Sequence, residues 1–134
     1  MRTESAAAFL LGLAIVISAP ASAGTVRVID GDTIQTGGVT YRLIGYDTPE
    51  IMFARCPSEL ARGLEAKDLL AAWLEAEPWK LEPTGKIDQW RRELARLYIG
   101  GEDVAYLMIR KGLGVAYHGR GRRRDWCKVE TGHG

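Results

Sequence analysis

The chain lacks a strong charge of either sign: 18 basic residues stand against 17 acidic ones, for a net charge of +1 across 134 residues. A protein drawn to nucleic acid by bulk charge would be strongly basic, so any attraction for phosphate must here be local. Histidine is scarce too, and the two present, His118 and His133, have no ligand-like spacing and are assigned nothing. No apolar run reaches the roughly 20 residues that a membrane span requires. Internal repeats and low-complexity linkers are also missing.

The amino terminus has one early base, Arg2, an apolar run from residue 6 to 19, and then Pro20-Ala-Ser-Ala23. This is the layout of a secretory signal cleaved after Ala23. Glu4 weakens the charged start and leaves a retained amphipathic anchor as the alternative, while the absence of cysteine near the cleavage site argues against a lipid anchor. The expectation is a periplasmic or secreted protein with no stable membrane association once residues 1–23 are removed. Residues 24–134 then suffice for one domain with a real core, not for two. Arg2 and Glu4 leave together, so the net charge does not change.

Cysteine is limited to Cys56 and Cys127. Export would place them where disulfides persist, and an even count favours a bridge over two separate buried thiols. Such a bridge would fasten the chain after the acidic stretch to the tail.

That stretch, residues 28–50, reads VIDGDTIQTGGVTYRLIGYDTPE. It holds Asp30, Asp32, Asp47 and Glu50, together with Arg42 and Thr48, in two β-like runs around Gly37 and Gly38. A Gly-Gly pair between β-rich runs is a turn signal. Folding there sets Asp32 across from Leu43, with Arg42 one position away and Asp47 just past the end of the ladder. Carboxylates held a few ångströms apart repel unless a cation joins them or one takes up a proton, and a bound metal ion is the simplest remedy. All-oxygen ligands suit calcium or magnesium rather than zinc.

The segments VIDGDT and RLIGYDTPE, followed in order by Asp88-Gln-Trp-Arg-Arg92-Glu-Leu-Ala95, resemble the motifs of the thermonuclease, or staphylococcal nuclease-like, family. The likeness covers most of the chain after residue 24. It implies an α+β fold, a small five-stranded OB-type β-barrel with two or three helices, acting as a monomer. It implies an exported calcium-dependent nuclease, magnesium being the less favoured ion, that cuts single-stranded or unstructured DNA or RNA and leaves 3′-phosphates. By the same resemblance Asp32 and Asp47 are metal carboxylates, Thr48 a backbone-carbonyl ligand, Asp30 an acid behind them, and Glu50 the base that orients water. Arg42 and Arg92 match the family's two arginines, whose planar forks can hold phosphate oxygens.

Three positions depart from the pattern. Arg91 stands where the family has glycine, Trp90 replaces a tyrosine, and Gln89 a frequent lysine. Trp90 and Tyr117 remain the candidates for substrate contact, since bases stack on such rings. Taken singly, each acid could be an ordinary turn carboxylate and each arginine a surface ion-pair partner. Together and in order they favour catalysis over two rivals, a non-catalytic OB-type nucleic-acid-binding module and a calcium-stabilised structural domain.

Elsewhere the pattern predicts strands over residues 26–35, 39–44, 79–82, 92–99 and 115–117. It predicts helices from Ser58, as N-cap, to near Pro78, and from Asp103, as cap, to Lys111 with Gly112 closing it. The first helix is expected to bury Leu60, Leu64, Ala71 and Leu74. Gly31, between two aspartates, is expected to mark a bulge or tight bend. A short basic tail from about residue 118, with Arg120 and residues 122–124, is expected to be flexible and solvated, in place of the family's long last helix.

Overall fold

The computed structural model describes residues 24–128; the expected leader over residues 1–23, and residues 129–134 with His133, lie outside the described residues. Two hairpins come first. β1 (Arg27–Asp30) pairs with β2 (Thr33–Thr36), and β2 with β3 (Val39–Leu43), both antiparallel. The second turn is Gly37-Gly38, where φ values of 57° and 78° suit glycine. It fixes the register Thr33↔Arg42 and Ile34↔Tyr41, and Leu43 N–H donates to the Asp32 carbonyl at 2.8 Å, the pairing expected from the turn.

The single strand expected over residues 26–35 is instead broken at Gly31-Asp32, a tight turn that sets Asp30 against Thr33. Crowding explains the glycine: a Cβ there would lie 2.7 Å from Ala66 Cβ and 2.9 Å from Thr48. The bend expected at Gly31 is therefore a hairpin turn pressed between a helix and a loop.

β6 (Glu93–Ile99) runs parallel to β3, with Tyr41↔Glu93 and Leu43↔Ala95. β5 (Trp79–Ile87) lies antiparallel on the other side of β6, giving the order β1-β2-β3-β6-β5, and β7 (Glu102–Asp103) also pairs with β6. β4 (Gly45–Asp47) and β8 (Val115–Tyr117) form a second, two-stranded sheet. The fold is α+β with a mixed sheet and, among the described residues, two helices. β5 outruns its expected end at Glu82: Pro83 sits on an edge strand, where a missing N–H is tolerated, and still pairs with Ala95 before the register shifts.

α1 (Pro57–Ala76) starts two residues earlier than predicted, with Cys56 rather than Ser58 as N-cap and Pro57 in the first turn. Its buried face is Glu59, Gly63, Ala66 and Leu70, while Leu60 and Leu64 are exposed. Close approach decides this. A Cβ on Gly63 would lie 2.7 Å from the Glu50 carbonyl and 3.0 Å from that of Pro49, so only the small-residue face can lie against the loop backbone. α2 (Val104–Arg110) is capped as expected: Asp103 accepts from Ala105 N–H at 2.9 Å. At its end Gly112 N–H donates to the Ile109 carbonyl and Leu113 N–H to that of Met108. Ile34, Leu43, Leu70, Leu97, Val104 and Met108 meet in the fully buried core.

The cysteine pairing is as expected, with Cys56 and Cys127 joined across a sequence separation of 71. The tail is the solvated segment foreseen only in part: residues 118–123 are exposed, but the chain after them is docked. Trp126 is buried, Arg124 lies over its ring at 4.9 Å, and Arg55 pairs with Asp125 at 3.4 Å. A bridge and an indole together dock a run that its charge alone would leave in water. Closing so long a loop contributes up to about 4 kcal/mol in the chain-entropy model. Thermal melting of the oxidised protein should therefore fall clearly when reductant is added; coincident curves would show that the bridge stabilises nothing.

Candidate active site

Three adjacent strands bring the arginines to one end of the large sheet. Arg42 lies on β3, and the parallel pairing of β6 starts at Glu93, so Arg92 arrives just before it and next to Thr33 on β2. Arg42 Nη2 faces two carboxylates at once, Asp32 Oδ2 at 3.1 Å and Asp47 Oδ1 at 3.4 Å, and also donates to the Tyr46 carbonyl at 3.1 Å. Its other terminal nitrogen donates to the Leu43 carbonyl. Arg92 Nη1 reaches Thr33 Oγ1 at 3.4 Å, and the Thr33 hydroxyl donates to Asp32 Oδ1 at 3.2 Å. Asp32 is thus tied directly to one arginine and through a hydroxyl to the other.

The Asp-Gly-Asp turn is locked from within. Asp32 N–H donates to Asp30 Oδ1 at 3.1 Å, an Asx-type turn. Thr48 N–H donates to Asp32 Oδ2 at 3.1 Å, and the fully buried Tyr46 hydroxyl donates to the Gly31 carbonyl at 2.7 Å. Burial lifts the Tyr46 phenol well above its ordinary range, so it remains a donor. Asp30 is pushed up to about 7 by burial first, and then by the charge of Asp32 beside it. Asp47 is also raised, because its burial outweighs the hydrogen bonds from Arg123 and the charges of Arg123 and Arg42.

Arg92 is aimed by Asp88. Asp88 Oδ1 accepts from the backbone N–H groups of Trp90 and Arg92, both at 2.9 Å, and Oδ2 accepts from Arg92 Nε at 2.8 Å. Burial would raise the Asp88 pKa, yet these donations hold it below the ordinary value. Arg91, between them, has φ of 65°, the left-handed backbone that a glycine would accept freely. Trp90 is exposed, with the Arg92 guanidinium 5.2 Å from its ring centre. Tyr117 pairs with Gly45 and Val115 with Asp47, so Tyr117 shares a face of the small sheet with Asp47, two pairs further along.

The tail supplies an arginine that the sequence reading missed. Arg123 Nη2 lies 2.7 Å from Asp47 Oδ1, its Nε is 3.1 and 3.2 Å from the two Asp47 oxygens, and its Nη1 is 2.6 Å from Glu50 Oε1. Burial acts to lower the pKa of this guanidinium, but the pairing with Asp47 and Glu50 raises it. Asp47 is therefore shared: Arg42 links it to Asp32, and Arg123 links it to Glu50. A signal for Arg123 was available in Cys127, four residues on, whose bridge to Cys56 returns the tail to the loop after Glu50. Asp88 was legible as well, at the head of the Asp88-to-Ala95 motif.

Hard oxygen donors for a cation are present in the Asp32 and Asp47 carboxylates beside Thr48. Among the described residues, no three acids of this site bring their oxygens within 4.8 Å of one another. The group of metal-capable side chains that does so among the described residues is Cys56, Glu59 and Cys127, whose sulfurs are consumed by the disulfide.

A family model described as staphylococcal nuclease homologue matches residues 40–129, two thirds of the chain and most of this site. No curated protein matches the chain.

Two outcomes test this geometry. Below pH 3.8 the Asp30 carboxyl carries its proton in folded and unfolded chain alike, whereas between 3.8 and about 7 only the folded state holds it. The stability it contributes is therefore lost as pH rises through that window, on the order of 4 kcal/mol. Melting in chelator should drop between pH 4 and pH 8 by more in the wild type than in Asp30→Asn; equal drops would show that Asp30 titrates normally. Second, Arg91→Gly should raise the melting temperature, by up to about 1 kcal/mol of stability, as relief of left-handed strain outweighs the added unfolded-state freedom. Arg91→Ala keeps the strain and should not; matching gains in both would place the effect in the lost charge.

Proposed function

Since the chain belongs to the staphylococcal nuclease homologue family, a family of nuclease-like hydrolases acting on nucleic acid, we propose that it is an exported, calcium-dependent phosphodiesterase that cuts unstructured DNA, RNA or both. The observation that carries this reading is the single Arg42 nitrogen in contact with both Asp32 and Asp47. One point in space there faces two carboxylates, which is what a hard divalent ion needs. Asp32, Asp47 and the Thr48 carbonyl would hold calcium, with Asp30 behind them fixing the turn. When bound, calcium supplies charge neutralisation at the phosphate oxygens.

The remaining steps belong to the chain's own side chains. Arg42 and Arg92, whose guanidinium groups flank Thr33 and Asp32, bind the non-bridging oxygens of the phosphate and stabilise the charge that builds on them. Glu50, on the loop backed by Gly63, orients a water behind the phosphorus and takes its proton. Trp90 and Tyr117 offer faces on which splayed bases stack, which favours single strands. The order β1-β2-β3-β6-β5 with a parallel β3/β6 pair supports the five-stranded OB-type barrel as the scaffold. The Cys56–Cys127 bridge supports export, since disulfides persist in oxidising compartments. The protein acts as a monomer in this reading.

Purified protein with single-stranded DNA or RNA, in calcium, in magnesium and in chelator, tests the proposal. Cleavage should require calcium. Glu50→Gln and Arg92→Lys should each lower turnover by about 100-fold or more while leaving the fold intact. Binding without cleavage in any metal would favour the non-catalytic module, and calcium-raised melting without nucleic-acid binding the structural domain.

A further inference from the structure

We propose that Arg123 sets the metal affinity of this site by occupying, in the metal-free protein, the carboxylates that a cation needs, so that guanidinium and ion exchange for one another. The inference rests on the calcium-site reading above and deepens it.

The contacts of Arg123 are not those of a surface pair. All three of its guanidinium nitrogens are engaged, two with Asp47 and one with Glu50, at 2.6 to 3.2 Å. The Asp47 side chain is 1% exposed and that of Arg123 46%, so the arginine caps a buried carboxylate from the solvent side. A divalent ion seated against Asp47 would meet the Arg42 guanidinium on one flank and that of Arg123 on the other. Arg42 is pinned by the Leu43 and Tyr46 carbonyls, whereas the carboxylates of Asp47 and Glu50 are the partners shown for the Arg123 head group. Like charges at that spacing repel, and the arginine free to move is the one on the solvent side. It also lines a surface groove with Arg122, Arg124, Asp125 and Lys128, which gives a displaced side chain somewhere to go.

Covalent structure makes the exchange a tuned competition. Arg123 lies four residues before Cys127, and Cys56 lies six residues after Glu50, so the bridge holds the guanidinium at high local concentration over Asp47 and Glu50. The Arg55–Asp125 pair and buried Trp126 fix the same segment. The arginine thereby neutralises carboxylates that would otherwise repel, keeping the metal-free site folded at the cost of a weaker hold on the ion. It also covers Glu50 until the ion arrives.

Calorimetric titration of calcium into the intact oxidised protein tests this without recourse to activity. Arg123→Gln should bind calcium more tightly, on the order of tenfold. It should melt below the wild type in chelator and level with it in saturating calcium. A Cys56→Ala/Cys127→Ala double variant, which frees the tail and keeps Arg123, should shift calcium affinity in the same direction, and it carries the test should Arg123→Gln fail to fold. Calcium affinity equal to or weaker than wild type in folded variants would overturn the exchange and leave the calcium site standing. No binding of calcium or magnesium by wild type and variants alike would overturn the calcium reading itself, and the exchange with it.

Discussion

Carboxylates buried side by side need cations among them or a proton on one of them, and this constraint shapes the end of the sheet where Asp30, Asp32 and Asp47 meet. The protein meets it with fixed guanidinium groups: Arg42 between Asp32 and Asp47, Arg123 between Asp47 and Glu50, and Arg92 reached through the Thr33 hydroxyl. Among the described residues no arginine pairs with Asp30, and burial beside Asp32 raises its pKa to about 7. Arginine suits the task because its planar fork spans two carboxylates and never loses its charge. The same forks match phosphate, so one set of side chains can serve resting state and substrate alike.

Strand register delivers these groups. The Gly37-Gly38 turn opposes Thr33 and Arg42, and parallel pairing of β3 with β6 places Glu93 beside Tyr41. Without the parallel neighbour Arg92 would have no path to Thr33. Asp88 then completes the aim through its bonds to the backbone and side chain of Arg92, a loop stable enough to hold Arg91 in the left-handed region. A residue whose conformation costs about 1 kcal/mol persists only where its surroundings over-determine it.

What was legible in the sequence was local. The Gly-Gly turn, the Asp103 cap, the Gly112 closure and the cysteine pair each depend on a few residues whose chemistry is decisive alone, and each was read correctly. The helix α1 was found but turned: leucines at 60 and 64 outweigh Gly63 and Ala66 on any apolar scale, yet loop backbone at 2.7 Å admits only the small residues. The bend at Gly31 and the strand over residues 115–117 were foreseen, but the hairpin that the one closes and the small sheet that the other forms with β4 escaped for a related reason, since both depend on what lies across from them. Arg123 was the largest omission. Its neighbours are all basic and polar, so local pattern gave a solvated tail, although the expected bridge already placed that tail beside Glu50.

The small residues that misled the helix reading also explain how the acidic loop keeps its shape. Gly31 lies against Ala66 and Thr48, and Gly63 lies against the carbonyls of Pro49 and Glu50, so α1 touches the site at both ends of the Thr48-to-Glu50 segment. Thr48 precedes a proline, which confines it to extended backbone and leaves the segment few ways to yield. Bulk at position 31 or 63 would therefore collide with Thr48 or with the Glu50 carbonyl, which has little room to retreat. The spacing between Asp47 and Glu50, on which the grip of Arg123 and the approach of a cation both depend, is thus set by the absence of two side chains on the facing surfaces.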